Sequence, residues 1–221
     1  MKAPGAGYSA AVPSFSRIRR TLGAREPKIL PVDGCRHAAV AMVLREGRGG
    51  PEVLFIERAS RQGDPWSGHM AFPGGKVDPG DAGGREAAER ETLEEVGVSL
   101  AGSERLGRLD DKQGNPVTAP RLVISGFVYR VEDPAPLVPN YEVREAFWFP
   151  LPQLLDDARH VEYETPGELR FPGILVGKPR RHVVWGLTYS FLESFFSTVG
   201  LPLPDRWTED LRRYRRLREA D

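Results

Sequence analysis

Residues 60–84 form a stretch with seven Gly and three Pro, and it runs without a break into a helix-forming segment, 85–96, stopped by Gly97. A loop of this length inside a compact domain is usually functional or disordered, not a plain connection. Here it leads straight into the strongest helix in the chain, so whatever the loop does is tied to that helix. Any fold for this sequence must therefore place a long glycine-rich loop and one charged helix side by side.

The remaining pattern is dominated by strands. Residues 38–44 (AAVAMVL) and 53–57 (VLFIE) are β-rich runs joined by a Gly-rich turn, 45–51, and read as a hairpin. Further strands are expected at 121–131 and 145–149, with a short helix over 151–158 after Pro150. Two short runs, 174–176 and 182–185, flank a basic turn at 178–181. The chain then carries an apolar helix, 187–196, and a charged one, 205–219. Strands in the middle, one central helix and helices at the end point to a mixed α/β layered domain, not a parallel βαβ array. The expected organisation is an N-terminal arm over 1–35 with a short helix near 15–22, a main domain over 36–200, and a charged C-terminal helix over 201–221.

Composition excludes several classes of function. Lys+Arg and Asp+Glu both number 31, and zero net charge argues against a nucleic-acid coat protein. The single Cys35 excludes an intramolecular disulfide framework and a cysteine-rich zinc site. No apolar run reaches the ~18 residues that a membrane span needs. The first 25 residues contain no acid, as in organelle transit peptides. Pro4, Gly5, Gly7 and Pro13 break any amphipathic helix there, which favours a loose arm, and the lack of an apolar h-region argues against export. A cytoplasmic location is expected.

At 100° per residue, Glu91, Glu94 and Glu95 fall within an arc of about 100°. Ala87 and Ala88 share that face, whereas Leu93 and Val96 lie on the opposite side. Three carboxylates on one face repel one another unless a cation sits between them, and hard divalent ions such as Mg²⁺ or Mn²⁺ prefer such oxygen ligands. For an isolated E-x-x-E-E string the competing reading is an acidic helix surface with i,i+4 pairs such as Glu86 with Arg90. The preceding Phe72-Pro73-Gly74-Gly75-Lys76 favours the metal, because its glycines permit close backbone approach to a ligand.

With these residues in place the sequence resembles the Nudix hydrolases. Arg90-Glu91-Thr92-Leu93-Glu94-Glu95-Val96-Gly97-Val98 matches the second half of their signature, with Thr92 in the first apolar slot. The first half departs from it: five residues after Gly75 stands Asp81, not Glu, and eight residues then precede Arg90. That insertion, the run from Leu54 through Arg58 and Ala59, and the spacing from Gly68 to Phe72-Pro73-Gly74-Gly75 resemble the coenzyme A diphosphatase branch. So do Glu142-Val143, 147–151 and 182–188. Ala59 replaces that branch's Ser, and its second Arg is missing at the expected spacing, with Arg61 nearby.

The resemblance implies a Nudix α/β/α sandwich with a mixed β-sheet and a C-terminal helical extension. It implies metal-dependent hydrolysis of a pyrophosphate bond in a nucleoside diphosphate derivative: coenzyme A, giving 3′,5′-ADP and 4′-phosphopantetheine, or ADP-ribose or another nucleotide sugar. A catalytically inactive nucleotide-binding module is the alternative. Glu91, Glu94 and Glu95 would hold Mg²⁺ or Mn²⁺ together with the Gly74 carbonyl. Arg90 would orient them, and Glu142, with Glu145 as second choice, would help activate water. Arg58, Phe72, Gly75 and Lys76 would meet the small-molecule substrate, although Phe72 could equally anchor the loop into the core. No nucleic-acid or membrane partner is expected. The tail at 212–218 reads as a solvated helix or a homodimer contact. Trp185 reads as core packing, and His69 as polar loop surface with phosphate or adenine as the other option.

Overall fold

A computed structural model describes residues 13–63, 66–115, 119–165, 169–209 and 211–212. Strands β1 (Arg36–Gly47) and β2 (Gly50–Arg58) form the expected hairpin, with Gly47 opposite Gly50. Along β1 the residues Ala39, Ala41 and Val43 enter one apolar cluster, while Met42 and Leu44 enter another. Both faces of the strand are therefore covered, which is why the run is nearly all apolar and does not alternate.

The loop after β2 contributes two short strands, β3 (Met70–Ala71) and β4 (Gly74–Lys76). Helix α2 (Gly84–Val96) follows, and then β5 (Glu104–Arg108), β6 (Lys112–Gln113), β7 (Leu122–Arg130) and β8 (Val143–Pro150). The main sheet runs β3-β2-β1-β7-β5, with β4 also on β1, β6 on β7 and β8 on β2. The β1–β7 pair is parallel and the others are antiparallel, so the sheet is mixed and the architecture is α/β. A second, antiparallel sheet consists of β9 (His160–Glu164), β10 (Arg170–Leu175) and β11 (Val183–Trp185), in the order β11-β10-β9.

Helix α1 (Phe15–Gly23) and helix α3 (Gly186–Thr198) pack on the face of the main sheet opposite α2. The short helix expected near 15–22 is α1, and the arm before Pro13 lies outside the described residues. Ser14 caps α1 by accepting from the Arg17 N–H, and Phe15, Ile18 and Leu22 are buried. The helix expected over 151–158 is two 3₁₀ segments, Leu151–Leu155 and Asp157–Arg159. Most of the charged helix expected over 205–219 lies outside the described residues, and 201–208 are not helical.

Helix α2 ends where the sequence demands. Gly97 adopts φ 72°, and its N–H returns to the Leu93 carbonyl at 3.0 Å, a left-handed cap that favours glycine. The buried face is the small one: Ala87 and Ala88 are fully buried against the sheet, while Leu93 is 51% exposed. Two alanines let the helix axis come close to β1, and this same face brings the glutamates to the loop.

Candidate metal centre

Strand β4 lies antiparallel to β1, with Ala39 opposite Gly75 and Val40 opposite Gly74. Backbone bonds from Ala41 to Pro73 and from Val77 to His37 fix the alternation of the ladder. That alternation turns the peptide groups of Gly74 away from β1, toward α2. The Gly74 N–H donates to Glu95 Oε2 at 2.9 Å. Glycine is required there: φ is 153°, and a Cβ would run into the Ala39 carbonyl. At Gly75 a Cβ would overlap the Glu91 carboxylate, so the second glycine makes room for that side chain.

Arg90 binds the loop to the helix. Its guanidinium donates to Asp81 Oδ1 and Oδ2 at 3.1 and 3.0 Å, to Glu91 Oε1 at 3.0 Å, to Glu94 Oε2 at 3.2 Å and to the Lys76 carbonyl at 3.1 Å. The hydrogen bonds from Arg90 hold the Asp81 carboxyl below its ordinary range. Asp81 departs from the family's Glu, yet it supplies a two-oxygen seat for the arginine fork.

The glutamates are electrostatically uncomfortable without a cation. Burial pushes the Glu95 carboxyl up to about 7, against the opposing pull of the Gly74 N–H and the Arg58 charge. Burial also raises Glu91, with the charges of Glu94 and Glu142 adding to it. Carboxylates gathered at a backbone glycine pair are the donor set that a hard divalent cation takes. Such an ion would relieve the cost of keeping them charged. Glu94, 55% exposed, closes the solvent side of the group.

The charge of Glu142 acts on both Glu91 and Glu95. Backbone bonds from Val138 to Val96 and from Asn140 to Glu95, both 2.9 Å, fasten its loop to the end of α2. Arg61 Nη2 donates to Glu142 Oε1 at 3.0 Å, a contact that sequence spacing did not reveal. Glu145 is placed elsewhere, bonded to Lys178 and Arg181. Arg58 acts on Glu95 from β2, and Lys76 is exposed beside the loop. Of the two roles open to Phe72, the structure favours the anchor over the substrate contact. Phe72 is 2% exposed and stacks on Phe55 at 5.5 Å, beyond the reach of a ligand.

A second polar cluster, missed from sequence, joins the two sheets. Glu57, Glu145 and His182 each bring one ligand-type atom within 4.8 Å of the others. Arg181 forks onto buried Glu57, with Arg144 at 3.5 Å, and Lys178 reaches Glu145. His182 Nδ1 accepts from the Lys178 N–H at 3.2 Å, so its proton sits on Nε2, facing Glu57 and Glu145 at 3.4 and 3.5 Å. Arg181, Arg144 and Lys178 compensate these carboxylates, and the cluster acts as an ion-pair clasp. The one signal available in the sequence was an acid closing the apolar run VLFIE.

Known proteins resemble this chain in fold and in sequence. Among solved structures, a MutT/nudix family protein from Enterococcus faecalis matches with a TM-score of 0.51 at 18% identity, covering 89% of this chain and 76% of that one. That supports the fold alone. The mitochondrial coenzyme A diphosphatase NUDT8 of Homo sapiens is 36% identical over 161 residues, 68% of this chain and 64% of its own length. An uncharacterized protein, C14C4.10c, of Schizosaccharomyces pombe is 41% identical over 114 residues, 48% of this chain and 33% of its own. The chain thus spans a third to just under two thirds of those relatives. The uncharacterized Nudix hydrolase NudL of Escherichia coli is 28% identical over 170 residues, 75% of this chain and 84% of its own. The NUDIX domain family model matches residues 36–166, which include β4, α2 and Glu142, and the chain belongs to the NUDIX domain family.

Proposed function

We propose that the protein hydrolyses the pyrophosphate bond of a nucleoside diphosphate derivative, coenzyme A or its acyl esters first among them, with Mg²⁺ or Mn²⁺ bound at Glu91, Glu94, Glu95 and the Gly74 carbonyl. The observation that carries this reading is part-buried Glu91 and buried Glu95 set against Gly75 and Gly74, with burial raising both carboxyls. The metal would neutralise pyrophosphate charge and acidify water. Coenzyme A as substrate rests on the activity named for the human relative and on the sequence run from Arg58 to Gly75. The products would be 3′,5′-ADP and 4′-phosphopantetheine.

The chain's own residues would divide the remaining work. Glu142 sits close enough to act on Glu91 and Glu95, and a carboxylate there can take a proton from water. Arg58, beside Glu95, supplies a fixed positive charge for a phosphate oxygen. Arg90 keeps Glu91 and Glu94 in place through its bonds to Asp81 and Lys76, and touches no substrate. Positioning and charge stabilisation of this kind are most of what phosphoryl chemistry asks of a protein.

The test is a substrate panel of coenzyme A, ADP-ribose, NADH and dinucleoside polyphosphates, with products identified by mass spectrometry. The expected result is turnover that requires Mg²⁺ or Mn²⁺ and falls roughly a hundredfold or more in Glu94→Gln. Full activity in excess chelator would refute the metal mechanism.

A further inference from the structure

The smaller sheet has two unlike faces. Ile174 of β10 and Val184 of β11 point into the core and are fully buried. The other face carries Tyr163, Phe171 and Trp185, all half-buried. At the centre of that face stands Gly173, paired with Trp185 on one side and Val161 on the other. A Cβ at Gly173 would meet Val183 Cγ1 at 2.7 Å. From the flanking strands, the Trp185 indole stacks on Tyr163, with centroids 4.2 Å apart and planes 13° from parallel. Phe171 leans on the same indole at 5.8 Å. His69 stands across the slab, at 4.9 Å and 70° from Trp185 and at 6.4 Å and 80° from Tyr163. Together these rings make a corner: a flat aromatic floor and a perpendicular imidazole wall.

The corner adjoins the metal centre. Met70 packs into the core on the α3 side and Ala71 into the core on the α2 side. His69 immediately precedes this strand, which ends the strand order of the main sheet. The Arg58 N–H donates to the His69 carbonyl at 3.0 Å, and Arg58 is the residue whose charge bears on Glu95. The imidazole wall and the phosphate-facing arginine thus occupy neighbouring positions on paired strands.

We propose that the corner of His69, Tyr163 and Trp185 is the subsite for the heteroaromatic base of the nucleotide whose diphosphate lies at Glu91 and Glu95. This rests on the hydrolase reading above. A planar base matches a planar floor, and stacking on an aromatic face is worth enough to order one end of a flexible substrate. The imidazole adds a polar ring edge within reach of base nitrogens.

The experiment is calorimetric titration of the full chain, in Mg²⁺, with α,β-methylene-ADP and with methylenediphosphonate, which has the same phosphorus core and no base. Trp185→Leu and Tyr163→Leu are each expected to weaken α,β-methylene-ADP by roughly tenfold while methylenediphosphonate changes by less than about twofold. Trp185→Phe should recover most of the loss. Tyr163 lies on the edge strand β9, so its variant decides the matter if Trp185→Leu fails to fold. An unchanged ratio of the two affinities, as expected if an aliphatic arm fills the corner, overturns the proposal. The turnover panel is independent: base-dependent binding without turnover keeps the corner and removes the hydrolase reading, whereas turnover with an unchanged ratio does the reverse.

Discussion

Arg90 shows how much of this centre depends on geometry and how little on charge alone. Its Nε and Nη2 meet the two oxygens of Asp81, Nη2 also reaches the Lys76 carbonyl, and Nη1 reaches Glu91 and Glu94. A lysine would keep the positive charge but could not span those partners, because an ammonium is a point donor. Arg90→Lys should therefore leave folding nearly intact and displace Glu91 and Glu94. The expected outcome is a fall in kcat of about tenfold or more with KM little changed, and a higher Mg²⁺ concentration for half-maximal rate. Asp81→Asn should move the same two quantities in the same direction by a smaller factor. A KM effect with normal kcat and metal dependence would show that Arg90 serves substrate binding instead.

At the scale of elements, the glycine-rich loop and α2 were legible because their logic is local. Helix periodicity grouped Glu91, Glu94 and Glu95, and Gly97 marked the stop. The clasp of Glu57, Glu145, Arg181 and His182 was not legible, because it joins β2, β8 and the turn before β11 across more than a hundred positions of chain. The choice between the two roles of Phe72 was not legible for a related reason: its neighbour Phe55 becomes visible only once β2 and the loop are packed. Arg61, three places after Arg58, offered no periodic cue that it would meet Glu142.

The clasp makes a pH prediction. Burial alone would raise the Glu57 carboxyl, but the bonds and charge of Arg181, with Arg144 and His182, outweigh burial and leave it below 4.5. A lowered folded value means the contribution to stability is present above the unfolded value and is lost as pH falls through the folded one. Glu57→Gln should cost on the order of 3 kcal/mol at neutral pH, at the low end for a broken buried pair because part-exposed Arg181 can rehydrate. It should also flatten the acid limb of stability below about pH 4.5. Urea titrations of both proteins from pH 3 to pH 8 would test this. Parallel acid limbs would mean that Glu57 is not the group being titrated.

At the scale of the whole molecule, the main mixed sheet carries different tasks on its two faces. On the α2 side lie Glu91, Glu95 and Arg58; on the other side α1 and α3 close a large apolar core. Helix α1 is seated there by shape: Gly107 of β5 leaves room for Leu22, whose Cβ would stand 2.7 Å from a Cβ at that glycine, and Ile18 is fully buried behind it. Ile18→Ala should thus open a cavity on the face away from the metal centre, costing about 2–4 kcal/mol. For a chain of this size that corresponds to a fall in Tm of roughly 5–15 °C. At 25 °C, where most molecules stay folded, kcat and KM should match the parent, because no side chain of the metal centre touches α1. Calorimetry paired with steady-state rates separates the two faces: a loss of activity in step with Tm at 25 °C would mean that the sheet transmits strain from α1 to α2, against a layered division of labour.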